Sequence, residues 1–404
     1  MIGKIALSNL RYRPLPAISS WLLISCSTGM LALLLLLQQQ TGKQLEENAA
    51  GVDMVLGAKG SPLQLVLSAV YQADAPTGNI SLDSASKWMH HPFVKTAIPL
   101  AMGDNYKGFR IVGSNTQYIR HFDGQLQSGR LFAKPMEAVI GSNVAQRTHL
   151  HPDDHFAGSH GLAGEGEEHT EHPYQVTGVL QPTGTLLDQL IITSISSVWH
   201  IHAAHDHHHA HKEETADVPA SDDRQITAVL LQYNTPLAQL QLPRIINSQT
   251  AMQAAVPAIE INRLLSLMGI GIDTLRLFAW LLMGLGACSL FLLLFQSIQQ
   301  RRYELALLRS MGASPVALLQ LVLTEASLLA VAGILSGYLL SRLALLALQP
   351  VLQHKWHYET SLLWQPASQE LILALAAWLI CLLAAVIPGM MAFRLNISKT
   401  LSHA

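Results

Sequence analysis

Charged side chains are scarce in this 404-residue sequence, at 13% against 50% hydrophobic residues, and aromatics supply only 6%. A chain half apolar is not a disordered one. Positive charge is not in excess either. The 25 Lys and Arg face 27 Asp and Glu, a formal charge of -2, which excludes a binder held to nucleic acid by surplus basic charge. Cysteine is nearly missing. Cys26, Cys288 and Cys381 all lie in apolar runs, so no disulfide framework is expected, and a polar region of this size builds a core without one. A G-x-x-x-x-G-K-[ST] phosphate loop is also lacking, because Gly57–Gly60 reads GAKG without the required spacing. With no nucleophile or acid/base motif standing out, the chain reads as non-catalytic.

What is present divides sharply. Residues 39–267 carry 14 Lys/Arg and 22 Asp/Glu, giving -8, and the remainder carries 11 and 5, giving +6. Sixteen of the 19 histidines fall in the acidic part, 13 of them in the windows 149–172 and 200–211. Four runs, Ala17–Leu37, Leu277–Ile298, Val316–Tyr338 and Leu371–Ala392, are long and apolar enough for a hydrocarbon core of ~30 Å. The first exceeds the ~7–15 apolar residues of a secretory signal and lacks a small-residue cleavage site, so it reads as an uncleaved span. Lys4, Arg11 and Arg13, then Arg301, Arg302 and Arg309, then Arg394 and Lys399 flank the spans on one side. The positive-inside bias makes that side cytoplasmic, with both termini inside and 39–267 outside, periplasmic in a two-membrane bacterium. The 349–370 connection, with His354, Lys355 and His357, falls outside as well.

Short β-branched or alternating runs punctuate the large loop at Gly108–Val112, Ala138–Ile140, Tyr174–Leu180 and Ala228–Tyr233, with helical stretches at Ser61–Tyr71 and Ser142–Thr148. The expected fold is an α-helical membrane protein with four transmembrane helices plus a mixed α+β extracytoplasmic domain inserted between helices 1 and 2. Its expected parts are 1–38 (cytoplasmic N-terminus and first span), 39–250 (periplasmic domain with His-rich loops), 251–298 (stalk and second span), 299–315 (cytoplasmic helix) and 316–404 (spans three and four with a tail). Helix-forming sequence from Ser248 into the second span predicts one helix projecting beyond the bilayer.

Between spans two and three, Arg301–Met311 predicts a short amphipathic helix with Leu305, Leu308 and Met311 on one stripe. Gly312 stops it, Ser314 caps the next helix, and Pro315 is that helix's first residue. On physical grounds alone, Arg301 and Arg302 serve equally well as topology anchors. The run RRYELALLRSMGAS, followed by Glu325, resembles the FtsX/MacB-type ABC permease signature. Further matching features are ALSNLRYR before span one, Gly51–Asn79, Tyr174–Leu180 and the tail FRLNISKTLSH. The tail departs from the pattern at Asn396-Ile397, where the family often turns at a proline. His richness adds a resemblance to the branch found with zinc-regulated uptake systems.

The resemblance implies a homodimeric, multi-pass permease of a bacterial inner membrane, working with a separate cytoplasmic ABC ATPase that binds the ATP. Arg301, Arg302, Glu304, Leu308, Arg309 and Gly312 then form the ATPase-coupling helix and its stop, and the stalk transmits movement to a MacB-like periplasmic domain. Glu325, about 13 Å into span three, is an intramembrane ionisable group. It is read either as a proton or ion relay or as an inter-helix hydrogen bond at the dimer contact. The histidines His160, His169, His172, His200, His202, His205, His207, His208, His209 and His211 are the candidate metal ligands, amid carboxylates that suit Zn²⁺. His90 and His91 are further contributors. If Trp199–His202 ends a strand, its H-x-H spacing puts both rings on one face. With no Cys/His framework, the pattern fits a loose metal collector rather than a structural site, the alternative being a solvated acidic loop. No tightly bound cofactor and no nucleic acid are expected, and a periplasmic metal-binding or delivery protein is an expected partner. Zinc or other divalent-metal handling leads; export or extraction of lipoprotein, peptide or drug, and mechanical activation of a periplasmic enzyme, are the alternatives.

Overall fold

A computed structural model describes residues 2–12, 14–160, 173–201, 224–356 and 368–394. The chain divides into two units, Met1–Thr41 with Met268–Ala404, and Gly42–Leu267. It opens with helices α1 (Ile2–Tyr12) and α2 (Pro14–Ala49).

The second unit is built on strands and covering helices. In order these are β1 (Met54–Ala58), α3 (Pro62–Ala69), β2 (Ile80–Ser81), α4 (Leu82–Met89), β3 (Val94–Tyr106), β4 (Phe109–Ser114), α5 (Thr116–His121), β5 (Leu126–Gly129), β6 (Glu137–Ile140) and α6 (Ser142–Thr148). There follow β7 (His155–Phe156), β8 (Ser159–His160), β9 (Tyr174–Leu180), β10 (Ile191–Ser194), helical residues 195–201 (α7), β11 (Gln225–Ile226), β12 (Ala228–Tyr233), α8 (Pro236–Gln249) and β13 (Met252–Ala255). The main sheet runs β13-β1-β12-β3-β4-β10-β6-β9-β5, with β7 on β9 and β8 on β3, while β11 pairs only with β2. The pairs β10–β4 and β6–β9 are parallel and the others antiparallel.

Alternation along β1 and β12 shows why Met54–Leu56 and Ala228–Leu231 are apolar without interruption. Val55 and Leu230 enter one core with Leu65, Tyr118 and Leu187, whereas Leu56 and Leu231 enter the other with Leu242 and Ile246 of α8. Both sheet faces are covered, so no polar alternation is needed. The β13 edge is closed by a side chain: Ala254 N–H donates to Asn247 Oδ1 at 2.7 Å, and Asn247 Nδ2 donates to the Ala254 carbonyl at 3.0 Å. The last turns of α2 are tied into this unit where Tyr71 OH donates to the Leu45 carbonyl and Leu186 N–H to Asn48 Oδ1.

β13 corrects one expectation. No helix runs from Ser248 into the second span, because Met252–Ala255 pairs with β1 as a sheet strand and the helix begins at Pro257. Thr250 turns the chain after α8, its hydroxyl accepting from Met252 N–H, and proline opens the new helix.

After β13 come α9 (Pro257–Gln300), which belongs to the first unit from Met268 on, and then α10 (Arg302–Ser310), α11 (Pro315–Trp356) and α12 (Ser368–Phe393) of the first unit. Of these, α9, α11 and α12, together with α2, are long and apolar enough to cross a membrane. Helices in lipid are drawn together by close packing and hydrogen bonds rather than by exclusion of water, and small residues provide both here. A Cβ on Gly337 of α11 would lie 2.7 Å from the Ser25 carbonyl oxygen and 2.9 Å from Gly29 N, while Ser336 Oγ donates to Ser25 Oγ at 3.0 Å. Ser20 and Ser289 join α2 to α9 at 2.8 Å, and Trp378 Nε1 donates to Ser327 Oγ between α12 and α11. Outward, Leu281, Leu335, Leu371 and Leu383 stay exposed, as lipid-facing residues do.

Two outcomes follow from this packing. Gly337→Leu forces α2 and α11 apart and is expected to cost ~2 kcal/mol or more, read as a lower thermal midpoint of the full chain in detergent, whereas Gly284→Ala, with nothing near its Cβ position, leaves it unchanged. In the second unit, the Arg130 guanidinium, 2.6 and 2.8 Å from the carboxylate, and then the Ala133 and Lys134 N–H groups, hold the Glu137 carboxyl at about 2, below its ordinary 4.5. That contribution is complete above pH 4.5 and lost as pH falls toward 2. Melts of the full chain between pH 6 and 3 should therefore show a flatter acid dependence for Glu137→Gln; identical profiles would refute the assignment.

Candidate functional site

The connection between α9 and α11 is built from strong local signals. Tyr303 to Leu308 of α10 are mostly good helix formers, Glu304 lies in the first turn, and Arg309 in the last, each complementing the helix dipole. The helix ends in a full Schellman arrangement. Ala313 N–H donates to the Leu308 carbonyl, Gly312 N–H to that of Arg309, and Gly312 takes a φ of +103° that only glycine adopts readily. Ser314 Oγ then accepts from Ala317 N–H at 3.2 Å to cap α11, with Pro315 as its first residue. Gly312, Ser314 and Pro315 thus occupy the places expected of them.

The faces of α10 differ from the expected stripe. Leu305 and Ala306 are buried in a core shared with Ala17, Ile24, Leu290 and Leu318. Leu308 is exposed, as are Tyr303 and Leu307, and Met311 is 77% exposed. Leu305, Leu308 and Met311 do not share one buried stripe, because the helix stops at Ser310 and Met311 lies in the turn beyond it. Tyr303 and Leu307, one turn apart, were the missed members of the exposed face, and their i, i+4 spacing was its signal. Arg302 and Glu304 are exposed, Arg301 Nε donates to Glu304 Oε2 at 2.8 Å, and Arg309 is half-buried.

Glu325 is 5% exposed on α11, and Asn9 Nδ2 of α1 donates to its Oε1. This hydrogen bond joins two helices of the same chain. At the other end of α11, Arg342 Nη2 donates to Glu370 Oε2 of α12 at 2.9 Å, and Tyr338 OH donates to the Glu370 carbonyl. Seventeen residues, about 26 Å of helix, separate Glu325 from Arg342, close to the thickness of a hydrocarbon layer.

The metal candidates are placed less fully. His169, His172, His202, His205, His207, His208, His209 and His211 lie outside the described residues. The backbone of His160 pairs with Asp104 in β8, and His200 is exposed on α7. Because 195–201 is helical, the strand premise for the H-x-H pair fails. His91 stacks on Trp88 and meets Phe93 edge-on, while its Nδ1 accepts from Phe93 N–H, which marks it as a packed residue. Among the described residues, no group of three or more His, Cys, Asp or Glu is arranged to hold a metal.

A family model described as "FtsX-like permease C-terminal" matches residues 276–397, the stretch holding α10, Glu325 and the Arg342–Glu370 pair. Residues 276–397 are an FtsX-like permease C-terminal region. Permeases of this family are non-catalytic membrane subunits that work with a cytoplasmic ABC ATPase. The periplasmic region of MacB from Actinobacillus actinomycetemcomitans is similar in structure at 11% identity and a TM-score of 0.34, covering 55% of this chain and 97% of that one. The extracellular domain of the noncanonic ABC-type transporter YknZ from Gram-positive bacteria is similar at 14% identity and a TM-score of 0.31, covering 50% and 98%. A search of curated proteins finds no match. The matched region includes the whole α9–α11 turn, whose exposed apolar face is left to explain.

Proposed function

We propose that this permease is the membrane subunit of an ABC machine whose separate ATPase docks on α10, with both termini cytoplasmic and Gly42–Leu267 outside the membrane. The observation that carries the reading is the exposed set Tyr303, Leu307, Leu308 and Met311 on a helix whose other face is buried against the spans. An exposed apolar patch on a short helix closed by a Schellman turn is what a partner covers. Arg302, Glu304 and Arg309 give the polar rim, and Gly312 fixes where the helix stops. The basic residues on the α1 and α10 sides support the orientation. Two copies of the permease and two ATPases complete the assembly, and hydrolysis moves the outer domain rather than opening a tunnel.

The cargo half of the reading is zinc or another divalent metal. Thirteen histidines crowd two windows of a region carrying -8, and neutral imidazoles with carboxylates are ligands that capture such ions with ready exchange. A periplasmic metal-binding or delivery protein is the matching partner.

The docking half is tested by replacing Leu307 and Met311 with Glu together in the full-length chain and measuring how much ATPase co-purifies. Retention should fall at least about tenfold; unchanged retention would sink the docking surface. For the metal half, zinc titration calorimetry of the full chain at pH 7 should show binding that is largely lost when 202–211 becomes a Gly/Ser linker, and that weakens at pH 5 as imidazoles protonate. Absence of zinc binding in the parent chain refutes it.

A further inference from the structure

The contact between Asn9 and Glu325 joins residues 316 positions apart and is not explained by docking on α10. Within Pro315–Leu348 the only acidic residue is Glu325 and the only basic one is Arg342. A carboxylate shielded from water is strongly disfavoured unless donors or cations satisfy it. Here one donor is the neutral carboxamide of Asn9, on a helix that packs along α11 with Ala6 fully buried. On the α10 side, Arg301 Nε donates to Glu304 Oε2, and Leu305 and Ala306 of α10 share a core with Leu318 and Val322 of α11. The Asn9–Glu325 bond and the α10 packing therefore meet on α11.

We propose that Glu325 is a positioning residue that fixes the N-terminal helix α1 relative to the α10 hairpin, making α1 part of the coupling element. Departure of α1 strands the carboxylate without its amide donor, while α10 is held to the same helix α11 by the burial of Leu305 and Ala306. α1 is thus tied to the α10–α11 hairpin through Glu325. An apolar residue at position 325 would leave α1 held by packing alone. The consequence for coupling rests on the docking reading of α10, but the geometry concerns this chain alone. Failure of one is therefore read separately from failure of the other.

The test uses the full-length chain in lipid nanodiscs, with Cys26, Cys288 and Cys381 changed to Ser and spin labels placed at Ser8→Cys and Ser310→Cys, both exposed positions. Pulsed electron-spin distances should show one narrow α1–α10 separation. Glu325→Leu and Asn9→Leu should each raise the displaced population roughly tenfold, and the double variant should add nothing beyond either single one. Glu325→Gln keeps an acceptor oxygen and should restore the narrow distribution. Narrow distributions in both Leu variants, or additive effects in the double variant, would overturn the proposal. Should the Leu variants fail to fold, Asn9→Asp sets two carboxyls face to face. It should then release α1 at neutral pH and recover it in acid, and a pH-independent distance would equally overturn the assignment.

Discussion

A helix inside a bilayer has no water to escape by meeting another helix, so its partners are fixed by how closely backbones can approach and which polar groups they satisfy. The meeting of α2 and α11 at Gly29 and Gly337 answers that constraint, with Ser25 and Ser336 hydrogen-bonded beside it. Much of the first unit depends on where α11 lies. α12 is held to it by Trp378 at Ser327 and by Glu370 at Arg342, α1 by Asn9 at Glu325, and α10 buries Leu305 and Ala306 in the core to which Leu318 and Val322 of α11 contribute.

The second unit solves a different problem with different means. Its sheet is apolar on both faces, and the polar groups that it buries are answered locally. Glu137 receives Arg130 and two backbone N–H groups, while Asp188 receives the N–H groups of Thr183 and Gly184. These carboxylates are structural. Much of the excess negative charge of 39–267 belongs instead to the stretches 161–172 and 202–223, where most of the candidate histidines also lie.

Where the reading of the sequence and the structure part, the cause is a contact that periodicity does not carry. Met252–Ala255 was absorbed into a long helix because its residues tolerate one, yet pairing with β1 made it a strand. Tyr174–Leu180 and Ala228–Tyr233 were legible at their observed bounds, because both are short runs rich in β-branched and other apolar residues. The hairpin was legible for a related reason, since Gly312, Ser314 and Pro315 are backbone requirements rather than packing choices. The exposed face of α10 was not, because which side of a nine-residue helix is buried depends on the neighbouring spans.

The sequence by itself determined the number of helices able to cross a membrane, the segregation of charge, the main strands of the large loop and the stops around α10. Each follows from local chemistry or from apolar length measured against a bilayer. Only the tertiary structure decided that β13 closes one edge of the sheet, that Tyr303 and Leu307 face outward, and that Glu325 of α11 bonds Asn9 of α1. Those outcomes join residues far apart in the chain, and the free energy of such a contact belongs to the pair and not to either residue's own pattern.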